Sequence, residues 1–270
     1  MPEALPLPDA SAVWSGLHDW VERHAGIVLT GGRSESFRIR VEALCQNERV
    51  TPPQMLSSLE RGDARVAMMI ADAATTNYTQ LFREREAFDW LAEKVYPTLD
   101  AGPVRIWSAA TSTGEEAYSL AIHAAYNLGP DAFGRVRVLG TDLSARHVET
   151  AEAAVYETGR MPELTPAEKL AFEPLSETRW RVRPAYRDMC TFRRLNLLAP
   201  HWPFTQSFHL IFCRNVLYYF DAASRHRVLE AMFDVAAPGA WLITSFTDPT
   251  TDGPTRWSSV QPGVFRRPPV

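Results

Sequence analysis

Apolar residues recur at intervals of three and four along the first hundred positions, the spacing that places them on one face of an α-helix. Five such stretches lie between about Trp14 and Leu99, with the sequences LHDWVERHAGI, FRIRVEALCQ, PPQMLSSLERG, ARVAMMIADAA and LFREREAFDWLAEKVYP. Breaks fall at Gly31-Gly32 and at Thr51-Pro52-Pro53, where proline suits the first turn of a helix. The pattern predicts an all-helical N-terminal domain over residues 1–99, whose last helix leads into the next domain.

Beyond residue 103 the pattern alternates between short β-branched runs and amphipathic helices. Strands are predicted at residues 104–110 and 135–144, and the helix EEAYSLAIHAAYNLG lies between them. Three more strands are predicted within TFRRLNL, FHLIFCRNVLYYF and GAWLITSF, with a helix in ASRHRVLEAMFDVAA. This order is typical of a mostly parallel sheet that is covered on both faces and binds ligands at the carboxyl ends of its strands. We therefore predict an α/β domain over residues 100–270.

Two stretches of this domain do not follow the alternation. Residues 157–190 contain one short helix, TPAEKLAF, and a strand or hairpin in RWRVRPAY, which predicts a small inserted subdomain. The last twenty residues are rich in proline and glycine, and we expect them to be irregular.

Composition narrows the class of function. The 270 residues are 46% apolar and carry a net charge of −4, which argues against a general nucleic-acid binder. The three cysteines are far apart, as expected of reduced thiols. The chain contains neither a signal peptide nor an apolar run of about 18 residues, and no metal-ligand spacing such as HExxH or CxxC. We expect a monomeric cytoplasmic protein that inserts no segment into a membrane and binds no metal or nucleic acid.

The stretch WSAATSTGEEAYSLAI carries the most informative chemistry. Glu115 and Glu116 lie in the first turn of a helix, where α/β folds often bind a phosphate, yet two carboxylates repel a phosphate. The loop has only Gly114 and no lysine, so it matches neither a P-loop nor a dinucleotide fingerprint. S-adenosylmethionine fits better, because the carboxylates attract its cationic end while Asp142 accepts hydrogen bonds from its ribose hydroxyls. Alternatively, the glutamates are helix-dipole partners and Asp142 is a helix cap.

Several stretches together resemble the chemotaxis receptor glutamate O-methyltransferase family. In chain order they are TNYTQLFRE at 76–84, RIWSAATSTGEEAYSLAI at 105–122, GTDLS at 140–144, Asn196-Leu197 and IFCRNVLYYFD at 211–221. The resemblance extends from about Leu17 to Ser245. It implies a helical domain followed by a Rossmann-like S-adenosylmethionine-binding domain that methylates glutamates of chemoreceptor cytoplasmic helices.

The resemblance also implies roles for individual residues. Asn77, Thr79 and Arg83 are expected to reach over the cofactor from the helix between the domains, and Tyr219 to lie beside the reacting methyl group. The remaining cofactor contacts that it implies are Glu115 or Glu116 at the amino-acid end, Asp142 at the ribose, Asn196 and Leu197 at the adenine, and Arg214 with Asn215 at the floor of the pocket.

Structural alternatives exist for the residues near the methyl group. Asn77 and Thr79 are also suited to cap the helix that is predicted after Ala74. Arg83 has acidic neighbours with which it can form a solvated ion pair, and Tyr219 lies in an aromatic run that is typical of a core. If the acceptor is a glutamate, it is ionised at neutral pH, so no general base is needed. We then expect Arg83 to hold the incoming carboxylate through paired hydrogen bonds, and Tyr219 to position the reacting groups.

The sequence departs from the family pattern in four places. Leu81 replaces a phenylalanine, and Thr247-Asp248-Pro249 replaces the turn usual on the far side of the pocket. The helix FRIRVEALCQNER contains Glu42 and Glu48 among its arginines and is less basic than the receptor-facing helix of the family. The inserted region lacks the glycine-bearing loop with which some relatives bind a receptor's C-terminal peptide, so we expect docking that is independent of this tether. Another acceptor, or a signalling module without turnover, remains an alternative.

Overall fold

The computed structural model describes residues 9–75, 78–161, 163–246, 248–249 and 255–269. The chain divides into two compact units. The first consists of Met1–Thr76 with Tyr219–Asp221, and the second of Asn77–Tyr218 with Ala222–Val270.

The described residues of the first unit form four helices, which coincide with the first four predicted stretches. They are α1 (Ala10–Ala25), α2 (Gly32–Glu48), α3 (Pro52–Glu60) and α4 (Ala64–Ala74). The start of α3 follows from local chemistry, because Thr51 and Gln54 form a capping box and proline occupies the first turn. The fully buried apolar residues of the first unit include Leu17, Val21, Phe37, Val41 and Ile70.

The division of the chain differs from the predicted boundary at residues 99 and 100. Helix α5 (Arg85–Trp90), the π-turn Leu91–Val95 and the 3₁₀ turn Tyr96–Thr98 belong to the second unit. The reason is that Phe88 and the apolar residues of the π-turn enter the hydrophobic core of the α/β unit. Helical periodicity detects the buried face but does not indicate which core receives it.

The second unit contains ten strands and seven helices among the residues described. The strands are β1 (Val104–Ala109), β2 (Val136–Asp142), β3 (Val155–Glu157), β4 (Phe172–Pro174), β5 (Arg179–Val182), β6 (Cys190–Arg194), β7 (Phe208–Cys213), β8 (Ala236–Ile243), β9 (Ser258–Gln261) and β10 (Val264–Arg266). The helices after α5 are α6 (Glu115–Leu128), α7 (Ala132–Arg135), α8 (Ala145–Ala153), α9 (Pro166–Lys169), α10 (Pro184–Arg187) and α11 (Ala222–Val235).

Seven strands form the main sheet in the order β6-β2-β1-β7-β8-β10-β9. The first five run parallel, and β10 is antiparallel to both of its neighbours. The order reverses between β1 and β7, which makes the ends of these strands the ligand-binding crevice of a doubly wound sheet. The predicted α/β fold is confirmed.

The expectation of an irregular C-terminal stretch is wrong. Strands β9 and β10 form a hairpin that completes the main sheet. Gly263 lies in the turn with φ of 74°, and a Cβ there would meet the carbonyl oxygen of Thr244 at 3.0 Å. Proline and glycine therefore mark a tight turn rather than loss of regular structure.

A small antiparallel sheet in the order β3-β5-β4 occupies the region predicted as an insertion. It begins at Val155, slightly before the predicted start. The chain then passes through α10 and returns to the main sheet at β6.

The two faces of the main sheet are covered differently. On one face, Ile106, Val138 and Leu210 lie side by side and enter a core with residues of α5 and α6. On the other face, Trp107 packs against Trp202 and Phe204, each with ring centroids 4.9 Å apart. The latter two rings belong to residues 195–207, which connect β6 to β7 without a helix.

Candidate active site

The loop after β1 is held in an unusual backbone conformation. Ala110, Ser112 and Gly114 all have positive φ, at 60°, 52° and 94°. Gly114 is required because a Cβ there would lie 2.7 Å from the Cβ of Ala151. Two of these residues carry side chains that disfavour this region, so the loop stores strain of the kind found at ligand sites.

Two buried hydroxyl oxygens of this loop have no hydrogen-bond partner within the described structure. They are Oγ1 of Thr111 and Oγ of Ser112. The backbone beside them is fixed, because the N–H of Thr111 donates to the carbonyl of Thr141 at 2.9 Å and that of Ser112 to Asp142 at 2.8 Å. Buried polar atoms without a partner inside the protein are typical of a site that a polar ligand completes.

The two glutamates at the start of α6 take different positions. Glu115 is 2% exposed, and its Oε2 accepts a 2.6 Å hydrogen bond from the hydroxyl of Thr113. Glu116 accepts one of 2.7 Å from Ser108, and its Oε2 lies 3.5 Å from Nη1 of Arg214. The second glutamate therefore faces the ends of β1 and β7.

Asp142 ends β2 with its carboxylate almost completely engaged. It accepts hydrogen bonds from the backbone of Ser112 at 2.8 Å and of Ser144 at 3.0 Å, and its Oδ1 lies 3.1 Å from Nδ1 of His147. A carboxylate offers about four acceptor positions, so about one remains for a ligand hydroxyl instead of the two expected from the sequence.

Asn196 and Leu197 lie next to this strand end. The N–H of the preceding Leu195 donates to the carbonyl of Asp142 at 2.8 Å, which brings the turn after β6 beside the end of β2. Leu197 is 8% exposed, and the side chain of Asn196 accepts a bond from the N–H of Leu198 at 2.9 Å.

Glu84 is the centre of a polar cluster at the end of β7, a role that no motif in the sequence indicates. Its Oε2 lies 3.0 Å from Nη2 of Arg214, and its Oε1 accepts from the Asn215 amide at 3.0 Å and from the Ser245 hydroxyl at 3.2 Å. The Arg214 side chain is 1% exposed and also approaches Glu116. One buried cation is thus shared between two carboxylates. Arg83 also approaches Glu84, at 3.8 Å, while Asp248 bonds the backbone of Asn215 and Ser245 and brings a third carboxylate to the cluster. Three carboxylates therefore face two guanidiniums, which leaves an excess of negative charge.

The two carboxylates that share Arg214 differ in acidity. Burial raises the pKa of Glu116, and the Arg214 guanidinium and the Ser108 hydroxyl offset only part of this effect. Burial also acts to raise the pKa of Glu84, but hydrogen bonds from Asn215, Arg214 and Ser245 outweigh it and hold this pKa below its usual value. Glu84 is therefore the firmly ionised member of the pair.

Asp248 fixes the loop that follows β7. Its carboxylate accepts from the backbone N–H groups of Asn215 at 2.7 Å, Ser245 at 3.2 Å and Tyr218 at 3.3 Å. Burial raises the pKa of Asp248 although these three donors oppose the shift. Asp248, part of the turn that departs from the family pattern, thus has a structural role, while Thr247 lies outside the described residues.

Arg83 projects from an irregular segment with a turn at residues 81–82, not from a helix. Residues 78–84 form no helix, and α5 begins only at Arg85, so the predicted helix after Ala74 that Thr79 would cap or occupy is wrong. The cause lies in the backbone, because Phe82 and Glu84 have positive φ of 51° and 57°. Nη1 of Arg83 donates to the carbonyl of Tyr78 at 2.8 Å, and Nε lies 3.8 Å from Glu84. Asn77 lies outside the described residues.

Tyr219 belongs to the helical unit and is 9% exposed. Its carbonyl accepts a hydrogen bond of 2.9 Å from the N–H of Val28, and the guanidinium of Arg33 lies 5.5 Å from its ring centroid. The α/β unit by itself brings Arg83, Glu116, Arg214 and Asn215 around Glu84, and it groups Asp142 with Asn196 and Leu197.

The arrangement suits a nucleoside with a cationic substituent. The hydroxyls of Thr111 and Ser112 need a polar partner, Asp142 offers an acceptor position, and the cluster around Arg214 carries excess negative charge. The ribose of S-adenosylmethionine can bond the two hydroxyls and Asp142, and its two positive groups suit the negatively charged cluster. No group of three or more metal-ligating side chains occurs in the part of the chain that the structure describes, and none of its helices is long and apolar enough to cross a membrane.

The fold and this site define an S-adenosylmethionine-dependent methyltransferase. The model of the family "CheR methyltransferase, SAM binding domain" matches residues 77–253. The chain belongs to this family. It is 32% identical to Chemotaxis protein methyltransferase 1 of Pseudomonas aeruginosa, covering 92% of this chain and 94% of that protein. The Chemotaxis protein methyltransferase of Klebsiella aerogenes is also 32% identical, covering 92% and 86%.

Some solved structures resemble the chain distantly. One is the N-methyltransferase NodS from Bradyrhizobium japonicum in complex with S-adenosyl-L-homocysteine, at 16% identity and a TM-score of 0.36 over 60% of each chain. This likeness is too low to bear on the function.

Replacing Glu84 tests its place at the centre of the cluster. We expect Glu84→Gln to lower the free energy of unfolding by about 2 kcal/mol at neutral pH, because it removes one of the two carboxylates that neutralise the buried Arg214. This value is smaller than for a fully buried ion pair, because Glu84 is partly exposed to solvent. Urea denaturation followed by tryptophan fluorescence measures the change. The pKa of Glu84 is lowered in the folded state, so the difference from the wild type shrinks as the pH falls through that pKa.

Glu86→Gln is the matched control, because Glu86 is exposed two residues away. Equal unfolding midpoints for the two variants would contradict the assignment of Glu84 as the partner of Arg214.

Proposed function

We propose that this protein transfers the methyl group of S-adenosylmethionine to glutamate side chains of chemoreceptor cytoplasmic domains, giving glutamate methyl esters and S-adenosylhomocysteine. The observation that carries the proposal is the extent of the similarity. Relatives named chemotaxis protein methyltransferase match over about nine-tenths of the chain, the helical unit included, and not only over the cofactor-binding unit. This role places the protein in the cytoplasm, where we expect a monomer that acts on the receptor helical bundle.

The geometry of the site supports a set of residues that we propose hold the methyl donor. Glu116, beside Arg214, is positioned to attract the donor's amino-acid end, with Glu115 behind it in the same turn. Asp142 binds a ribose hydroxyl, while Asn196 and Leu197 flank the adenine. The other proposed contacts are Asn77, Thr79, Arg83, Arg214 and Asn215. When bound, S-adenosylmethionine supplies a methyl group that its positive sulfur activates for transfer.

Arg83 is the proposed holder of the acceptor carboxylate. Its side chain is 29% exposed, and only Nη1 is committed to a hydrogen bond within the described structure, at the carbonyl of Tyr78. The guanidinium can therefore donate two parallel bonds to an incoming glutamate. An ionised glutamate is already nucleophilic, so these residues orient it rather than remove a proton, and orientation alone is worth on the order of 7 to 11 kcal/mol. We assign the Tyr219 hydroxyl to positioning the reacting groups.

A second acceptor class is favoured by the charges of α2. Nε of Arg38 is paired with Glu42 at 3.0 Å, and Nε of Arg40 donates to the carbonyl of Ala73 at 2.6 Å. These two arginines are engaged inside the helical unit, which leaves α2 weakly basic as a surface for an acidic receptor. The alternative acceptor is therefore another protein.

A labelling experiment separates these acceptors. The protein is incubated with methyl-labelled S-adenosylmethionine and chemoreceptor cytoplasmic fragments, and the label is then treated with mild base. We expect base-labile label on the fragments, because methyl esters hydrolyse whereas methylated amines do not. Base-stable label, or none on any receptor fragment, would reject the proposed acceptor.

The raised pKa of Glu116 predicts how donor binding depends on pH. Protonation begins above pH 4.5, the ordinary midpoint of a glutamate, and it removes the charge that attracts the donor. We expect the affinity for S-adenosylmethionine to fall as the pH is lowered through this pKa. Calorimetric titration at a series of pH values measures the profile.

Glu116→Gln should bind the donor more weakly at neutral pH and show a flatter profile. Glu149→Gln is the matched control, since Glu149 is an exposed glutamate on α8. If the donor affinity of Glu116→Gln depends on pH in the same way as that of the wild type, Glu116 does not contribute to donor binding.

Substitution of Arg83 tests the acceptor role. We expect Arg83→Ala to reduce turnover at least about hundredfold, consistent with loss of a paired charge-assisted bond of about 3 kcal/mol. Donor affinity should change by less than about threefold, and Arg83→Lys should restore only part of the rate. Equal losses of turnover and donor affinity would instead assign Arg83 to the donor alone.

The turn between β4 and β5 supports docking without a receptor tether. It contains no glycine and closes on itself, because the N–H groups of Leu175 and Ser176 donate to the carbonyl of Arg179 at 2.8 and 3.2 Å. We expect no saturable heat when a receptor C-terminal pentapeptide is titrated into the protein. Saturable binding would show that tether recognition is retained.

A further inference from the structure

A cavity of about 260 Å³ opens on the sheet face that carries Trp107, beside the β6–β7 connection that contains no helix. Its floor is formed by the first halves of β1 and β2, with Thr191 of β6 at one side, and its wall by Phe204 and its neighbours in the β6–β7 connection. All of these residues belong to the α/β unit. The cofactor-binding ends of the strands lie elsewhere, since Arg105 precedes the end of β1 by four residues, about 13 Å of extended chain.

Two arginines stand side by side in this cavity. Arg105 and Arg137 are register partners on neighbouring parallel strands, so their side chains project from the same face. Like charges directly opposite each other are unfavourable. Neither guanidinium lies within 4.0 Å of a carboxylate oxygen in the described residues, and no acidic side chain is found among the described residues that line the cavity.

Both guanidiniums are anchored, and each has nitrogen atoms left for a ligand. Nε of Arg105 donates to the carbonyl of Ser207 at 2.6 Å, while Nη1 of Arg137 donates to the carbonyls of Val136 at 2.7 Å and Phe133 at 3.1 Å. Within the described structure, the hydrogen bonds of Arg105 leave both of its terminal nitrogens available, and those of Arg137 leave Nη2. Anchored guanidiniums lose little freedom on binding an oxyanion, which favours paired hydrogen bonds.

The remainder of the cavity combines an apolar wall with neutral polar groups. Phe204 packs on Trp107 at 4.9 Å and on Phe208 at 5.1 Å, which fixes the ring beside the arginine pair. The side chains of Thr205 and Gln206 add hydrogen-bonding groups at the rim. A small pocket with a few polar groups on apolar walls is the usual form of a small-molecule site.

We propose that this cavity is a second ligand site, which binds a small molecule carrying a phosphate or carboxylate on a planar apolar body. The oxyanion pairs with Arg105 and Arg137, and the planar body lies against Phe204. The site is independent of the methyl acceptor, so it stands whether or not chemoreceptors are the substrate.

Calorimetric titration of the full chain with phenyl phosphate tests the site, with benzoate as the carboxylate arm. Saturable binding near one molecule per chain is expected, undiminished by saturating S-adenosylhomocysteine. Benzamidine, a cation of similar shape, should not bind. The stronger of the two anionic probes identifies the oxyanion that the arginine pair prefers.

Arg137→Gln and Arg105→Gln should each weaken binding at least about tenfold, as expected for loss of a charge-assisted bond. Arg137 is exposed, so its variant reports on binding even if Arg105→Gln proves unstable in a thermal unfolding control. Arg23→Gln, an exposed substitution on α1, should leave binding unchanged. Absence of saturation by both anions at millimolar concentration, wild-type affinity in Arg137→Gln, or loss of binding with S-adenosylhomocysteine would each overturn the proposal.

Discussion

The site depends on one buried cation placed between two carboxylates. Arg214 is 1% exposed and cannot be left without counter-charges, so Glu84 and Glu116 are drawn to it from different elements. The carboxylates of Glu84, Glu116 and Asp248 outnumber the guanidiniums of Arg214 and the partly exposed Arg83, so the end of the sheet keeps a net negative charge. This charge makes the crevice unsuitable for a phosphate and suitable for a sulfonium or an ammonium group.

The surrounding backbone is arranged to keep that cluster in place. The carboxylate of Asp248 holds the loop after β7 by accepting hydrogen bonds from three backbone N–H groups. Phe82 and Glu84 adopt left-handed backbone conformations, which bring the Glu84 carboxylate to Arg214. On the other side, the strained loop after β1 keeps two buried hydroxyls that have no partner within the described structure. A site built in this way is organised before a ligand binds, which favours catalysis by orientation.

The sequence was sufficient for the helices of the first unit, the parallel strands and the position of the crevice, since each depends on local periodicity and strand order. It was not sufficient for Glu84, because its partner Asn215 is 131 positions away in the chain. The positive φ of Ala110 and Ser112 was equally inaccessible, as non-glycine residues give no local sign of that conformation. Periodicity also failed for α5, where it identified a buried face but not the core that receives it.

The central claim is that excess negative charge selects a cationic nucleoside. Calorimetric titration of the protein with S-adenosylmethionine, ATP and NAD, at low and at physiological salt, tests it most directly. The account predicts saturable binding of S-adenosylmethionine that weakens with salt, and no saturable binding of the two phosphate-bearing nucleotides. Binding of ATP or NAD as tight as that of the methyl donor would contradict it.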